Sequence, residues 1–200
     1  MRPHQITNTK LAQPAVYIKD NRCMWTSIPK NANMLFRGIC KSVGMNRRLY
    51  TGQQADQSFF IIRNPLNRLV SGLGEYRRRR QLNVGLVDLL DQLYENPVSF
   101  DEHLEPQLVY VAGKSYTHII RMENLKTEIM EVPYIRHNGA EVVRIRIDPN
   151  KTTNSRHLKG QPMEKWLDEN QSKVTAVINK YYATDMQMWE NPQNFLNKDL

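Results

Sequence analysis

The chain has 200 residues and a formal charge of +8 with a pI near 9.5, a balance that favours anionic partners: nucleotides, sulfated or phosphorylated substrates, nucleic acid or a membrane surface. Its 40% hydrophobic content and three Trp exclude a disordered chain, and its length fits one domain with a sizeable core. Two cysteines, Cys23 and Cys40, are too few for a disulfide framework or a four-ligand zinc site, and read as free thiols in a reducing compartment.

The N-terminus, MRPHQITNTK, lacks the apolar run of a signal peptide, and no segment reaches the length of a membrane span. The expectation is a soluble cytoplasmic protein. No repeat or linker divides the chain, so residues 1–200 read as a single domain with residues 1–14 a loose tail. Met24–Ile28 is a buried strand closed by Pro29. Met34–Val43 follows as a helix with Met34, Leu35, Ile39 and Val43 on one face. Phe59–Ile62 is a second buried strand, and Pro65 occupies a helix N1 position. That helix runs toward Arg80, with Leu66, Leu69, Val70 and Leu73 inward. The run Arg77–Arg80 reads as a solvated helix end, placed favourably at the negative end of the dipole.

Val84–Tyr94 is a further helix, and a helical region beginning at Phe100 is started or interrupted by Pro106. Tyr116–Arg121 is a third strand, and Asn124–Met130 a short helix capped by Asn124. Glu141–Ile147 alternates, which predicts a strand with Arg144 and Arg146 on one face. Met163–Trp189 reads as one long amphipathic helix. Strands alternating with helices predict an α/β, P-loop-like three-layer fold with a central, mainly parallel sheet flanked by helices. Its site is expected at the C-terminal ends of the strands.

Two segments carry the chemistry. Cys23–Cys40 and Phe59–Ser71 each run from an apolar strand through a basic loop into a helix start, where free N–H groups and the dipole favour anions. In the first, Pro29-Lys30-Asn31-Ala32-Asn33-Met34 puts Lys30 directly after the strand, within reach of a bridging anhydride oxygen. In the second, Arg63 stands at a strand end and Ser71 lies about two turns along the helix. A guanidinium binds phosphate in bidentate fashion, and a hydroxyl adds a hydrogen bond. Arg68 is either part of this grip or a surface or structural charge.

Together these segments resemble the two cofactor-binding signatures of sulfotransferases that use 3′-phosphoadenosine 5′-phosphosulfate (PAPS). The sequence RNPLNRLVS resembles the Golgi-type carbohydrate sulfotransferases more than the small-molecule cytosolic ones. His103-Leu-Glu-Pro-Gln107 resembles that group's His-x-x-Pro-Gln element. Tyr116–Leu125 resembles its strand ending in Glu-Asn-Leu, and Tyr181-Tyr182-Ala-Thr-Asp185 its C-terminal Tyr-x-x-Asp. All occur in the family's order over roughly residues 20 to 190. Without an anchor or stem, the chain looks like a short prokaryotic or viral relative.

The resemblance implies that Lys30 with residues 29–34 holds the 5′-phosphosulfate and that Arg63 with Ser71 holds the 3′-phosphate. Where the family commonly has Thr-Ala-Gly-Thr-Ser after the lysine, this chain has Asn31-Ala32-Asn33-Met34-Leu35, so the Asn31 and Asn33 amides and backbone N–H groups replace the missing hydroxyls. The implied reaction moves a sulfuryl group from PAPS to an acceptor hydroxyl, on a carbohydrate, with no metal. Lys30 stabilises the leaving oxygen. His103 is the first choice for the base, with Glu102, Glu105 and His118 as alternates. Arg144, Arg146, Lys151, Arg156 and Lys159 make a basic stretch in which Ser155–Gly160 either closes over the ligand or is a solvated loop. Glu123 reads as a buried or capping carboxylate, and Trp25, Trp166 and Trp189 as core. Residues 44–57, 81–100 and 131–140 are the expected acceptor loops.

Other readings are weaker. Gly113-Lys114-Ser115 superficially matches the end of a Walker A loop of a kinase or NTPase, but Leu108 stands where the first glycine belongs. A nucleic-acid-binding module lacks any aromatic-interleaved surface or zinc finger. A catalytically inactive relative that binds the nucleotide remains as the third.

Overall fold

Phe59–Ile62 lie on an interior strand of the sheet, and their alternation sends successive side chains into two separate apolar layers. The computed structural model describes residues 15–52, 54–97, 100–146 and 162–196. Among them five strands form one sheet: β1 (Ala15–Lys19), β2 (Cys23–Thr26), β3 (Asn46–Leu49), β4 (Gln57–Ile62) and β5 (His118–Arg121). Their order is β3-β1-β2-β4-β5. Strands β2, β4 and β5 run parallel, whereas β1 is antiparallel to both its neighbours. The fold is α/β as expected, but its sheet is mixed, not mainly parallel. Strand β3 lies within the predicted loop 44–57; its four residues, NRRL, are exposed throughout and carry no apolar signal.

The helices are α1 (Asn33–Ser42), α2 (Pro65–Arg79), α3 (Leu86–Glu95), α4 (Gln107–Val111), α5 (Leu125–Glu128), α6 (Pro133–Arg146), α7 (Met163–Glu169), α8 (Gln171–Val177) and α9 (Ala183–Glu190). On one sheet face Tyr17, Trp25, Phe59, Ile61 and Ile120 pack against apolar residues of α1, α5 and α6. Ring contacts Trp25–Phe36 at 4.8 Å and Phe36–Phe59 at 5.6 Å fasten α1 to β2 and β4, which fixes where the loop before α1 must lie. On the other face Phe60, Ile62 and Ile119 meet Tyr110, Val111 and Met188 from α4 and α9. Helices α2, α3, α7 and α8 build a third apolar cluster beside the sheet.

Several local expectations are corrected. Residues 141–146 are helical, the last turns of α6. Gly139 brings α6 close to α1: a Cβ there would stand 2.9 Å from Val43 Cγ1, and the Tyr134 hydroxyl donates to Val43 O. Packing on α1 thus overrides the β-like alternation, with Val143 inward and Ile145 exposed. Most of the predicted acceptor loop 131–140 lies in the same helix. In α1 the buried residues are Phe36, Ile39 and Cys40, while Met34 is 84% exposed. The segment Met163–Trp189 is broken at Asn170 and contains a π-helical turn, Ile178–Tyr182. Asn124 does not cap α5 through its side chain but donates to Glu128. Both cysteines are free and buried, and burial pushes the Cys23 thiol up to about 12. Among the described residues no helix is long and apolar enough to cross a membrane. Residues 1–14, Lys151, Arg156, Lys159 and Ser155–Gly160 lie outside the described residues.

Candidate active site

The loops that follow the three parallel strands meet at one end of the sheet, at the C-terminal edge where α/β folds bind ligands. After β2, Ile28-Pro29-Lys30-Asn31-Ala32 leads into α1. Lys30 and Ala32 adopt left-handed conformations, φ 68° and 56°, a strain that turns the chain sharply into the helix. Ala32 is the N-cap and supplies no side-chain acceptor, and the first turn of α1 contains no acidic residue. Among the described residues no side chain therefore caps the N-terminal N–H groups of α1.

Two buried arginines hold this loop by its carbonyls. Arg63 Nη1 donates to Lys30 O at 3.2 Å, and Arg68 Nε donates to Pro29 O at 3.2 Å. Arg68 is 1% exposed, and its Nη1 also donates to Glu105 O. It is a buried tie between two loops, not a surface charge. Burial lowers Arg63 to about 10, opposed by Glu123 and reinforced by Arg68, so it stays cationic at neutral pH. Asn64 caps α2, its Oδ1 accepting from the N–H groups of Leu66 and Asn67, and its own N–H donates to Glu123. Glu123, which is exposed, also accepts from Trp189 Nε1. It acts on the cap of α2, and is not buried.

Gln107 is the centre of the hydrogen bonding. Its Oε1 accepts from Asn31 Nδ2 at 2.6 Å and from the Arg63 N–H at 2.9 Å, while its Nε2 donates to Arg63 O. Asn31 Nδ2 also donates to Ile61 O at 2.7 Å. Both amide hydrogens of Asn31 are thus engaged inside the protein, which corrects the expectation that they are available to a phosphate. Asp185 accepts from the N–H groups of Gln107 and Leu108, capping α4, and the Tyr182 hydroxyl donates to Leu104 O. The π-helical turn before Asp185 precedes α9, which delivers that carboxylate. The motif residues at 29–31, 63–68, 103–107, 123 and 182–185 therefore belong to one connected cluster. Asn31 Oδ1, Asn33 Oδ1 and Arg68 Nη2 are buried without a partner among the described residues, each an acceptor or donor that costs about 1–3 kcal/mol until a ligand or water meets it.

One stripe of α2 unites the cationic loop with His103. Residues 68, 72, 75 and 79 recur at helical spacing. Arg68 grips the loop. Gly72 lies against His103, since a Cβ there would come within 2.8 Å of His103 O and 2.7 Å of Leu104 Cδ2. Glu75 Oε2 lies 3.8 Å from Lys30 Nζ. Arg79 donates to Glu102 Oε1 at 3.4 Å. Ser71, next to Gly72, is buried on the same helix.

His103 is buried, and its Nδ1 and backbone N–H both lie 3.0 Å from Asp101 Oδ1. With Nδ1 donating, Nε2 is the basic nitrogen. Burial raises the Asp101 carboxyl, but the hydrogen bonds from His103 outweigh it and hold it below the ordinary value. Asp101, Glu102 and His103 bring their ligand atoms within 4.8 Å of one another. Those atoms are engaged in the imidazole–carboxylate contacts and the Arg79 pair. Of the alternate bases, Glu102 is in this cluster and Glu105 is fully buried. His118 opens β5, where its Nδ1 is 2.8 Å from Thr117 Oγ1, outside the group at the strand ends. Trp25 and Trp166 are core residues as expected, and Trp189 is partly buried. Lys114 of the Walker-like run is buried and donates to Tyr110 O at 2.8 Å over the ring of Tyr50.

Glu75, Gln107 as a hub, and Asp101 were missed as site residues by the sequence reading. Gln107 carries a signal as the last residue of the His103–Gln107 element, and Glu75 another, an acid one turn after Ser71 with arginines three and four residues beyond it. Compared with known proteins, the chain matches no family model, no curated protein and no solved structure.

Proposed function

We propose that the protein is a PAPS-dependent sulfotransferase that moves a sulfuryl group to an acceptor hydroxyl, with a carbohydrate as the acceptor class. The observation that carries this reading is the α2 stripe, which brings Lys30 and His103 to one cluster beside the uncapped N-terminus of α1. In-line transfer needs little covalent chemistry from the protein, and depends on position and charge. The acceptor oxygen bonds to sulfur as the bond from sulfur to the 5′-phosphate oxygen breaks. His103 Nε2 takes the hydroxyl proton, with Asp101 orienting the ring and stabilising its cation. Lys30 Nζ meets the negative charge that develops on the leaving phosphate oxygen, and the α1 N-terminus adds its N–H groups. Arg63 and Ser71 hold the 3′-phosphate, which requires Arg63 to turn from Lys30 O toward the ligand.

A second reading, a relative that binds the nucleotide without turnover, is favoured by the inward engagement of both Asn31 amide hydrogens. Incubation with ³⁵S-labelled PAPS and a panel of glycans and small hydroxyl compounds separates the two. Sulfation of one acceptor by the wild type, abolished in Lys30→Ala while adenosine 3′,5′-bisphosphate still binds, supports the enzyme. Nucleotide binding with no labelled product across the panel supports the inactive relative.

A further inference from the structure

Glu75 belongs to none of the strand–loop–helix motifs, yet it is the buried acid nearest Lys30. Three cations converge on its carboxylate. Lys30 Nζ is 3.8 Å from Oε2, Arg79 Nε donates to Oε1 at 3.1 Å, and Arg78 Nη2 donates to the same oxygen. Arg79 continues to Glu102 Oε1 at 3.4 Å, and that oxygen lies 3.6 Å from His103 Nδ1. An ion pair from Lys30 thus continues through α2 to the imidazole.

Ion pairs at i,i+3 and i,i+4 on a solvated helix contribute a few tenths of a kcal/mol and fix little. Glu75 differs because it is only 7% exposed. Nor does it fill the neighbouring apolar cluster, which Leu69, Val70 and Leu73 supply from the same helix. The backbone of Lys30 is already constrained by its left-handed φ. Glu75 adds the second fixed point, at the ammonium.

We infer that Glu75 is a positioning residue, which holds the Lys30 ammonium in place and, through Arg79 and Glu102, keeps it in register with the His103 ring. What Lys30 does there rests on the proposed sulfuryl transfer; the hold of Glu75 on Lys30 does not. A role for Glu75 as the base is disfavoured by its surroundings. The Arg78 hydrogen bond, followed by Arg79 and the Lys30 charge, overcomes the opposing effect of burial and lowers its carboxyl to about 2. Such a group is a poor proton acceptor at neutral pH.

The test uses the full chain with Glu75→Gln and Glu75→Asp. The first readout is the rate at which trinitrobenzenesulfonate labels Lys30, followed by peptide mass spectrometry, and the second is the Kd for adenosine 3′,5′-bisphosphate by calorimetry. Removing one opposite charge from a partly buried amine favours its reactive neutral form, so Glu75→Gln is expected to label Lys30 about tenfold faster. Glu75→Asp falls between, with the other lysines unchanged. An unchanged Lys30 rate in folded Glu75→Asp and Glu75→Gln overturns the inference, and Glu75→Asp alone decides if Glu75→Gln does not fold. Faster labelling in a protein whose wild type binds no bisphosphate upholds the hold on Lys30 and removes the sulfuryl-transfer reading instead.

Discussion

Asn31 and Gln107, seventy-six residues apart, meet side chain to side chain, with Asn31 Nδ2 donating to Gln107 Oε1 over 2.6 Å. The contact ties the cationic loop to the start of α4, and the same Gln107 amide pairs with both backbone groups of Arg63. Gln107→Leu keeps the bulk but leaves the buried N–H and C=O of Arg63 and one amide hydrogen of Asn31 without the partner they have in the wild type. It is expected to cost about 2–4 kcal/mol in urea unfolding, because orphaned buried groups retain their desolvation penalty. A loss below about 0.5 kcal/mol, the size of an ordinary surface substitution, contradicts the hub.

Gly72 gives a steric prediction. Gly72→Ala puts a methyl within 2.8 Å of a backbone oxygen, which cannot rotate away as a side chain can. The expected outcome is a loss of about 1–3 kcal/mol, as for overpacking elsewhere, with thermal unfolding as the measure. Amide chemical shifts of residues 101–105 should move most. Unaltered stability shows that α2 and the His103 segment are not in close contact.

Acid stability is expected to follow Glu75. Its carboxyl is lowered from 4.5 to about 2, first by the Arg78 hydrogen bond, so the stabilisation is fully present above about 4.5 and is lost as pH falls toward 2. Glu75→Gln removes this contribution and flattens the fall of the urea midpoint over that range. The same slope in wild type and variant contradicts the ion-pair assignment.

Lys114 titrates at alkaline pH, and its buried charge is a cost to the fold. Burial lowers it from 10.5 to about 8, so below pH 8 the folded state bears the cost of an inward ammonium. Between pH 8 and 10.5 the unfolded chain binds the extra proton, and stability rises with pH from this group. Lys114→Met is expected to flatten that rise. A wild-type urea midpoint that falls from pH 8 to 10 as steeply as the variant's contradicts it.

The parts of this site that were legible in sequence are those made by local chemistry. Pro65 after Asn64 announces α2, and the apolar runs before Lys30 and Arg63 announce β2 and β4. What escaped depends on long-range packing. Residues 141–146 alternate like a strand, but Gly139 and Tyr134 dock the segment on α1 as a helix. Strand β3 is polar because it is an exposed edge, and its pairing with β1 is written in register, not in hydropathy. Glu75 was hidden in a run of charge: it looks as solvated as Arg78 and Arg79 until the fold buries it, with Lys30 beside it and Glu102 beside Arg79. Asn31 seemed a ligand donor because sequence gives its type and not its direction.

The most direct test of the sulfotransferase reading is the thermal shift with adenosine 3′,5′-bisphosphate beside ATP with magnesium. Ligand at about a hundred times its Kd stabilises a folded protein by about 2.7 kcal/mol, which raises the Tm by several degrees in a domain of this size. The account predicts such a rise with the bisphosphate, a much smaller one with ATP and magnesium, a retained rise in Lys30→Ala and a weakened one in Arg63→Ala. Equal shifts with the two nucleotides, or a larger one with ATP and magnesium, contradict it.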